Sequence, residues 1–326
     1  MNALRFCAKS ALHATTNIFL SQKQFLRPHH GNLIILTYHS FSRGWPAGSL
    51  LSLHIARFER QLEWLLKSFE IVSLAVGVNA IRAGYVSEKP RLVITIDDGF
   101  MDNFDLAYPV LCERGIPATV FVATDFIDSG RPPWPTQLAE ILEGARRNVL
   151  TYPFSATLAS PSARKEALKR LKLIFSVLPP EERYEELKVL RSSLGVAECQ
   201  TQYPGMGWQE LRKMAHTGID IGAHTVHHSI LPRISTEIVE LEVTASKSRI
   251  EEQLQQPCTL FSYPDGKHDL SVQRIVAKAG FEIAVTQDNG ANSKRSEVMA
   301  LHRIDIPYND PMPTFRRRVT SPSVYE

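Results

Sequence analysis

Six short apolar runs, separated by segments of helical periodicity, govern what this chain can fold into. They are Leu33 to Tyr38, Leu92 to Ile96, Ala118 to Ala123, Ile219 to Ala223, Thr259 to Tyr263 and Ile283 to Thr286. A strand covered on both faces reads as a continuous apolar run, whereas a half-exposed strand alternates, so these runs predict buried parallel strands. Between them, Ile55, Phe58, Leu62, Leu65 and Phe69 recur on one helical face. The segments Asp102 to Arg114, Trp208 to Thr217 and Ser271 to Ala279 each stop at a glycine, the usual residue beyond a helix end. Strand and helix in repeated alternation imply an α/β fold, either a parallel barrel or an open doubly wound sheet.

The stretch from about 131 to 203 interrupts this alternation. It reads as mainly helical, with Leu168, Leu171, Ile174 and Leu178 on one face ahead of Pro179-Pro180. We read it as an insertion between two strand units that either walls a site, docks a partner or is a structural hairpin. Beyond Arg303, residues 307–326 read as a partly ordered tail containing Arg316-Arg317-Arg318. Residues 1–30 hold Arg5, Lys9, Lys23 and Arg27 with no acidic residue, and their apolar stretches are too broken for a secretory signal. They read as a disordered or surface-lying amphipathic leader, and a transit peptide has the same composition. No run approaches the roughly 20 apolar residues of a membrane-spanning helix, so membrane contact, if any, is expected to be peripheral.

A net charge of +3 over 326 residues, with no basic stripe interleaved with aromatics, argues against nucleic acid as a partner. Cys7, Cys112, Cys199 and Cys258 lie far apart and suggest neither a disulfide framework nor a thiolate metal site. The oligomeric state is not readable.

Ionisable residues gather just after the ends of the apolar runs, where parallel barrels build active sites. Asp97-Asp98-Gly99 follows the second run. Adjacent carboxylates there repel unless a cation or shared proton relieves them, although Asp-Asp-Gly is equally good turn chemistry. His224 and His228, four apart after another run, could converge with Asp98 on a cation. Two histidines and one carboxylate leave coordination positions open, which distinguishes a catalytic metal site from a structural one. His39 ends the first run and is either a satisfied core histidine or, at the same rim, a general acid or base.

Thr95-Ile96-Asp97-Asp98-Gly99, His224-Thr225-Val226-His227-His228 and Phe261-Ser262-Tyr263-Pro264-Asp265-Gly266 together resemble the motifs of the NodB-homology polysaccharide deacetylases, carbohydrate esterase family four. The resemblance spans roughly Ile35 to Ile306 and implies a domain over 31–306 with a distorted, incomplete parallel (β/α) barrel. It further implies Asp97 as catalytic base and a divalent metal on Asp98, His224 and His228, zinc first, with cobalt, nickel or manganese as alternatives. Tyr263, Pro264, Asp265 and Gly266 would contact substrate. His227 holds a variable place in its motif and is set outside the ligand set. Many relatives carry an arginine where Ser262 stands, and Arg303 is the candidate substitute for orienting Asp97. The family's C-terminal acid histidine has no counterpart here. Tyr38-His39 matches an N-terminal Tyr-His of the branch resembling biofilm poly-N-acetylglucosamine deacetylases, which makes His39 the expected acid.

The implied reaction is hydrolysis of N-acetyl groups on amino-sugar units of a polysaccharide or oligosaccharide, by direct attack of water. The absence of a Gly-x-Ser-x-Gly elbow agrees with this. Two other readings stand beside it: an inactive carbohydrate-binding protein on the same fold, motivated by Ser262, and a hydrolase of small cyclic amides, which would need a closed pocket. The resemblance also places the protein, as an expectation, in the bacterial cytoplasm or at the periphery of the inner membrane, in exopolysaccharide synthesis.

Overall fold

The computed structural model describes residues 32–44, 52–197 and 201–321, and the leader expected over 1–30 lies outside them. One sheet organises the fold. Its strands are β1 (Leu33–Tyr38), β2 (Glu70–Ile71), β3 (Arg91–Ile96), β4 (Ala118–Val122), β5 (Ile219–Ala223), β6 (Leu260–Ser262), β7 (Ile283–Val285) and β8 (Ile304–Asp305). Their order is β7-β6-β5-β4-β3-β1-β8, with β2 paired to β3, and every pairing is parallel. The segment that leads into β8 meets β7 at the isolated bridge Val285–Leu301. The result is an incomplete (β/α) barrel.

Alternate residues of the strands serve two cores, as the pleat requires. Leu33, Ile35, Val93, Phe121 and Val285 pack inside with Leu74, Val78 and Ile81 of the helix Leu74–Arg82. Ile34, Leu36, Tyr38, Leu92 and Ile94 face outward to Phe58, Leu62 and Leu65 of the helix Ile55–Ser68. Because both faces are covered, the sequence shows unbroken apolar runs. Numbering helices along the chain gives α1 (Ile55–Ser68), α2 (Leu74–Arg82), α3 (Tyr108–Glu113, entered through a π-turn at Asn103–Ala107), α4 (Thr124–Ser129), α5 (Trp134–Glu143), α6 (Pro161–Phe175), α7 (Pro180–Ser193), α8 (Trp208–His216), α9 (Thr236–Leu254), α10 (Leu270–Lys278) and α11 (Met312–Thr320).

Helices α5, α6 and α7 form the insertion and own a separate core of Trp134, Leu138, Ile141, Leu171, Phe175, Leu187 and Leu190. The expected apolar face of α6 needs correction. Ala167, Leu171 and Phe175 point inward, while Ile174 is exposed. Within the expected tail, α11 is a helix that buries Phe315 and Val319, with Phe315 edge-on to Trp64 at 5.7 Å, and residues 322–326 lie outside the described ones. Its prolines stand at the N-cap and in the first turn, positions where a fixed φ and a missing N–H suit a helix start.

Candidate active site

The carboxylates that follow β3 take separate partners. Asp97 is fully buried, and both its oxygens accept from one guanidinium, Arg303 Nη1 to Oδ1 at 2.8 Å and Nη2 to Oδ2 at 2.6 Å. Ser262 Oγ donates to Asp97 Oδ2 at 3.1 Å and accepts from Arg303 Nη2 at 2.9 Å. Arg303 is itself fixed by donating to Thr95 Oγ1 and to the Thr286 carbonyl. Burial pushes the Asp97 carboxyl up, but the Arg303 charge and hydrogen bond, helped by nearby His224 and His39, outweigh it and hold the group below the usual carboxylate range. The serine in the third motif thus completes an arginine clamp whose guanidinium comes from just before β8.

Asp98 turns the other way, on a backbone with φ 81°. Its Oδ1 lies 3.4 Å from His228 Nε2 and 3.7 Å from His224 Nε2. His224 Nδ1 meets the Ser262 carbonyl at 2.7 Å, which requires the proton on Nδ1 and leaves Nε2 as a lone pair. Burial pulls His224 down to about 4, so its ring is neutral at ordinary pH. A carboxylate oxygen with no hydrogen-bond partner therefore faces an imidazole lone pair in a buried position. One ligand atom from each of Asp98, His224 and His228 lies within 4.8 Å of the others. Such a donor set, two nitrogens and one oxygen without sulfur, fits a divalent transition metal.

Backbone strain concentrates here. Among the described residues, the non-glycine positions with positive φ are Asp98, Thr225, His228, Asp265 and the helix cap Gln255. Each costs on the order of 1 kcal/mol or more and persists only where its surroundings enforce it. Glu242 of α9 enforces the histidine loop: buried, it accepts from the N–H groups of Val226 and His227 at 2.9 Å each, from Ser229 Oγ at 3.1 Å, and pairs with His227 Nδ1 at 2.7 Å. His227 is thereby turned away from Asp98. Trp134 of the insertion donates Nε1–H to the His228 carbonyl at 2.9 Å, and Arg183 stacks over Trp134. Sequence reasoning missed Glu242 and Trp134, since neither lies in a motif.

Glu242→Gln keeps the shape but cannot accept all four bonds. We expect metal affinity to fall about 10- to 100-fold, as for other residues that orient ligands. A competition titration against a zinc chelator checks this, and an unchanged affinity would mean that Trp134 and Arg183 hold the loop without it.

His39, Asp98, His228 and Asp265 line one cleft of about 350 Å³, which opens to solvent. Pro133, Trp134, Leu168, Lys172 and Leu173 of the insertion line it together with Asp305, Ile306, Pro307 and Tyr308. His39 is about a third exposed, with Nδ1 4.0 Å from Asp305 Oδ1, and its carbonyl accepts from Asn103 Nδ2 at 2.7 Å. The loop expected to contact substrate follows β6. Tyr263, Pro264 and Gly266 are buried, and the Tyr263 hydroxyl donates to the Met299 carbonyl at 2.9 Å. An added Cβ at Gly266, where φ is +64°, would stand 2.3 Å from Gln287 N. Of this loop, Asp265 lines the cleft.

A polysaccharide deacetylase family model matches residues 85–173 and 185–284. The Bacillus subtilis protein YxkH is 22% identical over 275 residues, which is 84% of this chain and 71% of that one. Among solved structures, Streptococcus pyogenes deacetylase PplD in complex with acetate has a TM-score of 0.62 at 18% identity, covering 88% of this chain and 98% of that one. IcaB from Ammonifex degensii has a TM-score of 0.59 at 14% identity, covering 90% and 99%. At such identities the structural likeness shows the shared fold. The family model covers more than half of the sequence and includes both the aspartate pair and the histidine loop, so this chain belongs to the polysaccharide deacetylase family.

Proposed function

We propose that this protein is a metal-dependent hydrolase that removes N-acetyl groups from amino-sugar units of a polysaccharide or oligosaccharide, releasing acetate. The observation that carries the reading is the division of labour between adjacent carboxylates: Asp97 held on Arg303, and Asp98, which lines the cleft, held toward His224 and His228. A divalent ion on Asp98, His224 and His228, zinc in the first instance, would supply Lewis-acid polarisation of the acyl oxygen and of water.

The chain's own residues do the rest. Asp97, kept ionised by Arg303, takes the proton of the attacking water. His39, at the cleft, protonates the departing amine. In the loop after β6, Tyr263 and Gly266 spend their N–H groups on Val285 and Tyr263 carbonyls, and Pro264 has none, so the Asp265 N–H is the donor left for a developing oxyanion. A cleft open to solvent suits an extended sugar chain better than a small cyclic amide. Arg303 replaces the arginine whose absence motivated an inactive binding protein.

Metal-stripped protein is expected to release no acetate above background from N-acetylglucosamine oligomers and to recover on addition of zinc, cobalt, nickel or manganese. Failure of every metal to restore release, with metal shown to bind at Asp98, His224 and His228, would overturn the deacetylase reading. The compartment we propose is the bacterial cytoplasm or the periphery of the inner membrane, and mature protein in the culture medium would contradict it.

A further inference from the structure

The turn that joins α6 to α7 is apolar, exposed and rigidly held, a combination unusual in a surface connection. Leu173 and Val177 are each 54% exposed and Ile174 is 39% exposed. Arg183, only 2% exposed, spends Nε on the Phe175 carbonyl at 3.1 Å and Nη2 on the Leu178 carbonyl at 2.7 Å. Ser176 Oγ donates to the Leu173 carbonyl at 2.8 Å and accepts from Arg233. Buried polar groups are thus committed to presenting three apolar side chains to solvent.

The helix leading to this tip is basic. It carries Arg164, Lys165, Lys169, Arg170 and Lys172 against Glu166 alone. Lys165, Lys169 and Lys172 stand at i, i+4 and i+7, one exposed stripe that runs toward Leu173. α7 opens with Glu181, which lines a separate pocket with Arg131 and Tyr184, and with exposed Glu182, a single carboxylate against the three lysines of the stripe. Apolar side chains beside a lysine stripe complement the acyl boundary and anionic headgroups of a phospholipid surface. Lys172 and Leu173 also line the cleft.

We propose that the α6–α7 tip docks this protein on an anionic phospholipid surface, setting the mouth of the cleft against the membrane. Docking is independent of the deacetylase reading. Its consequence, that the substrate is a glycan held at the membrane, rests on that reading.

The test uses the full chain in co-sedimentation with vesicles of phosphatidylcholine containing phosphatidylglycerol, beside pure phosphatidylcholine vesicles, at low and high salt. The wild type is expected to pellet with the anionic vesicles and to be released by salt. Ile174→Ser/Val177→Ser and, separately, Lys165→Glu/Lys169→Glu should each weaken partitioning roughly tenfold. None of these four residues lines the cleft, so acetate release from a soluble oligomer should stay at the wild-type rate in both variants. Three results overturn the proposal: no binding to anionic vesicles, binding by both variants equal to wild type, or a dimer in gel filtration that the Ile174/Val177 variant dissolves while vesicles are ignored.

Discussion

Asp97→Asn is expected to lower acetate release by about 10² to 10⁴-fold, the usual contribution of a positioned acid or base. Asparagine keeps the size of the side chain and one acceptor for Arg303, but it cannot take a proton from water. Asp98, His224 and His228 are untouched, so the variant should bind cobalt with the visible spectrum of the wild type, which separates lost chemistry from a lost site. Because Arg303 holds the wild-type carboxyl below its ordinary range, the acid limb of kcat/KM in the parent should lie below the usual carboxylate region. Near-normal release from a folded, cobalt-binding Asp97→Asn protein would remove Asp97 as the base and turn attention to a second group at the cleft, His39 first.

Much of this arrangement is written in the sequence. Strands β1, β3, β4, β5, β6 and β7 each announce themselves as apolar runs, because burial on both faces removes every reason for alternation. The three motifs stand at their ends, and the sheet brings Asp98, His224 and His228 together. What escaped reading has physical causes. The 19-residue helix α9 buries Val239, Glu242, Val243, Ser246 and Ile250, a stripe whose polar members blur the apolar period. One of them, Glu242, is the residue on which the histidine loop hangs. Strand β8 has two residues, too few to show any pattern, although it follows Arg303 directly. The resemblance implies that Tyr263 contacts substrate, and the apolar run that holds it says more directly that its ring packs in the core beside Phe261. The prolines of α11 punctuate a helix start and read as loop when counted without their position.

Arg303→Met should destabilise the fold by about 3–5 kcal/mol at neutral pH in urea titration, the cost of leaving a buried charge without its partner. Both members of the pair have no exposed side-chain surface, so solvent screening offers little relief. The sign of the pH dependence should also reverse. In the parent, the Asp97 carboxyl lies lower folded than unfolded, so its contribution is present above the unfolded value of about 3.9 and is lost as pH falls through the folded value. Without Arg303, burial dominates and the folded value rises above the unfolded one. Stability then drains away as pH climbs from about 3.9 to the raised value, and the variant is expected to gain relative to the parent on acidification. Activity should fall at neutral pH, with the acid limb of kcat/KM moved upward because Asp97 is protonated over a wider range. The double variant Asp97→Asn/Arg303→Met should lose less stability than the two single variants summed, since the second change removes the charge that the first exposed. An Arg303→Met protein as stable as the parent, with an unmoved acid limb, would show that Ser262 suffices to hold Asp97 and that the arginine is not its orienting group.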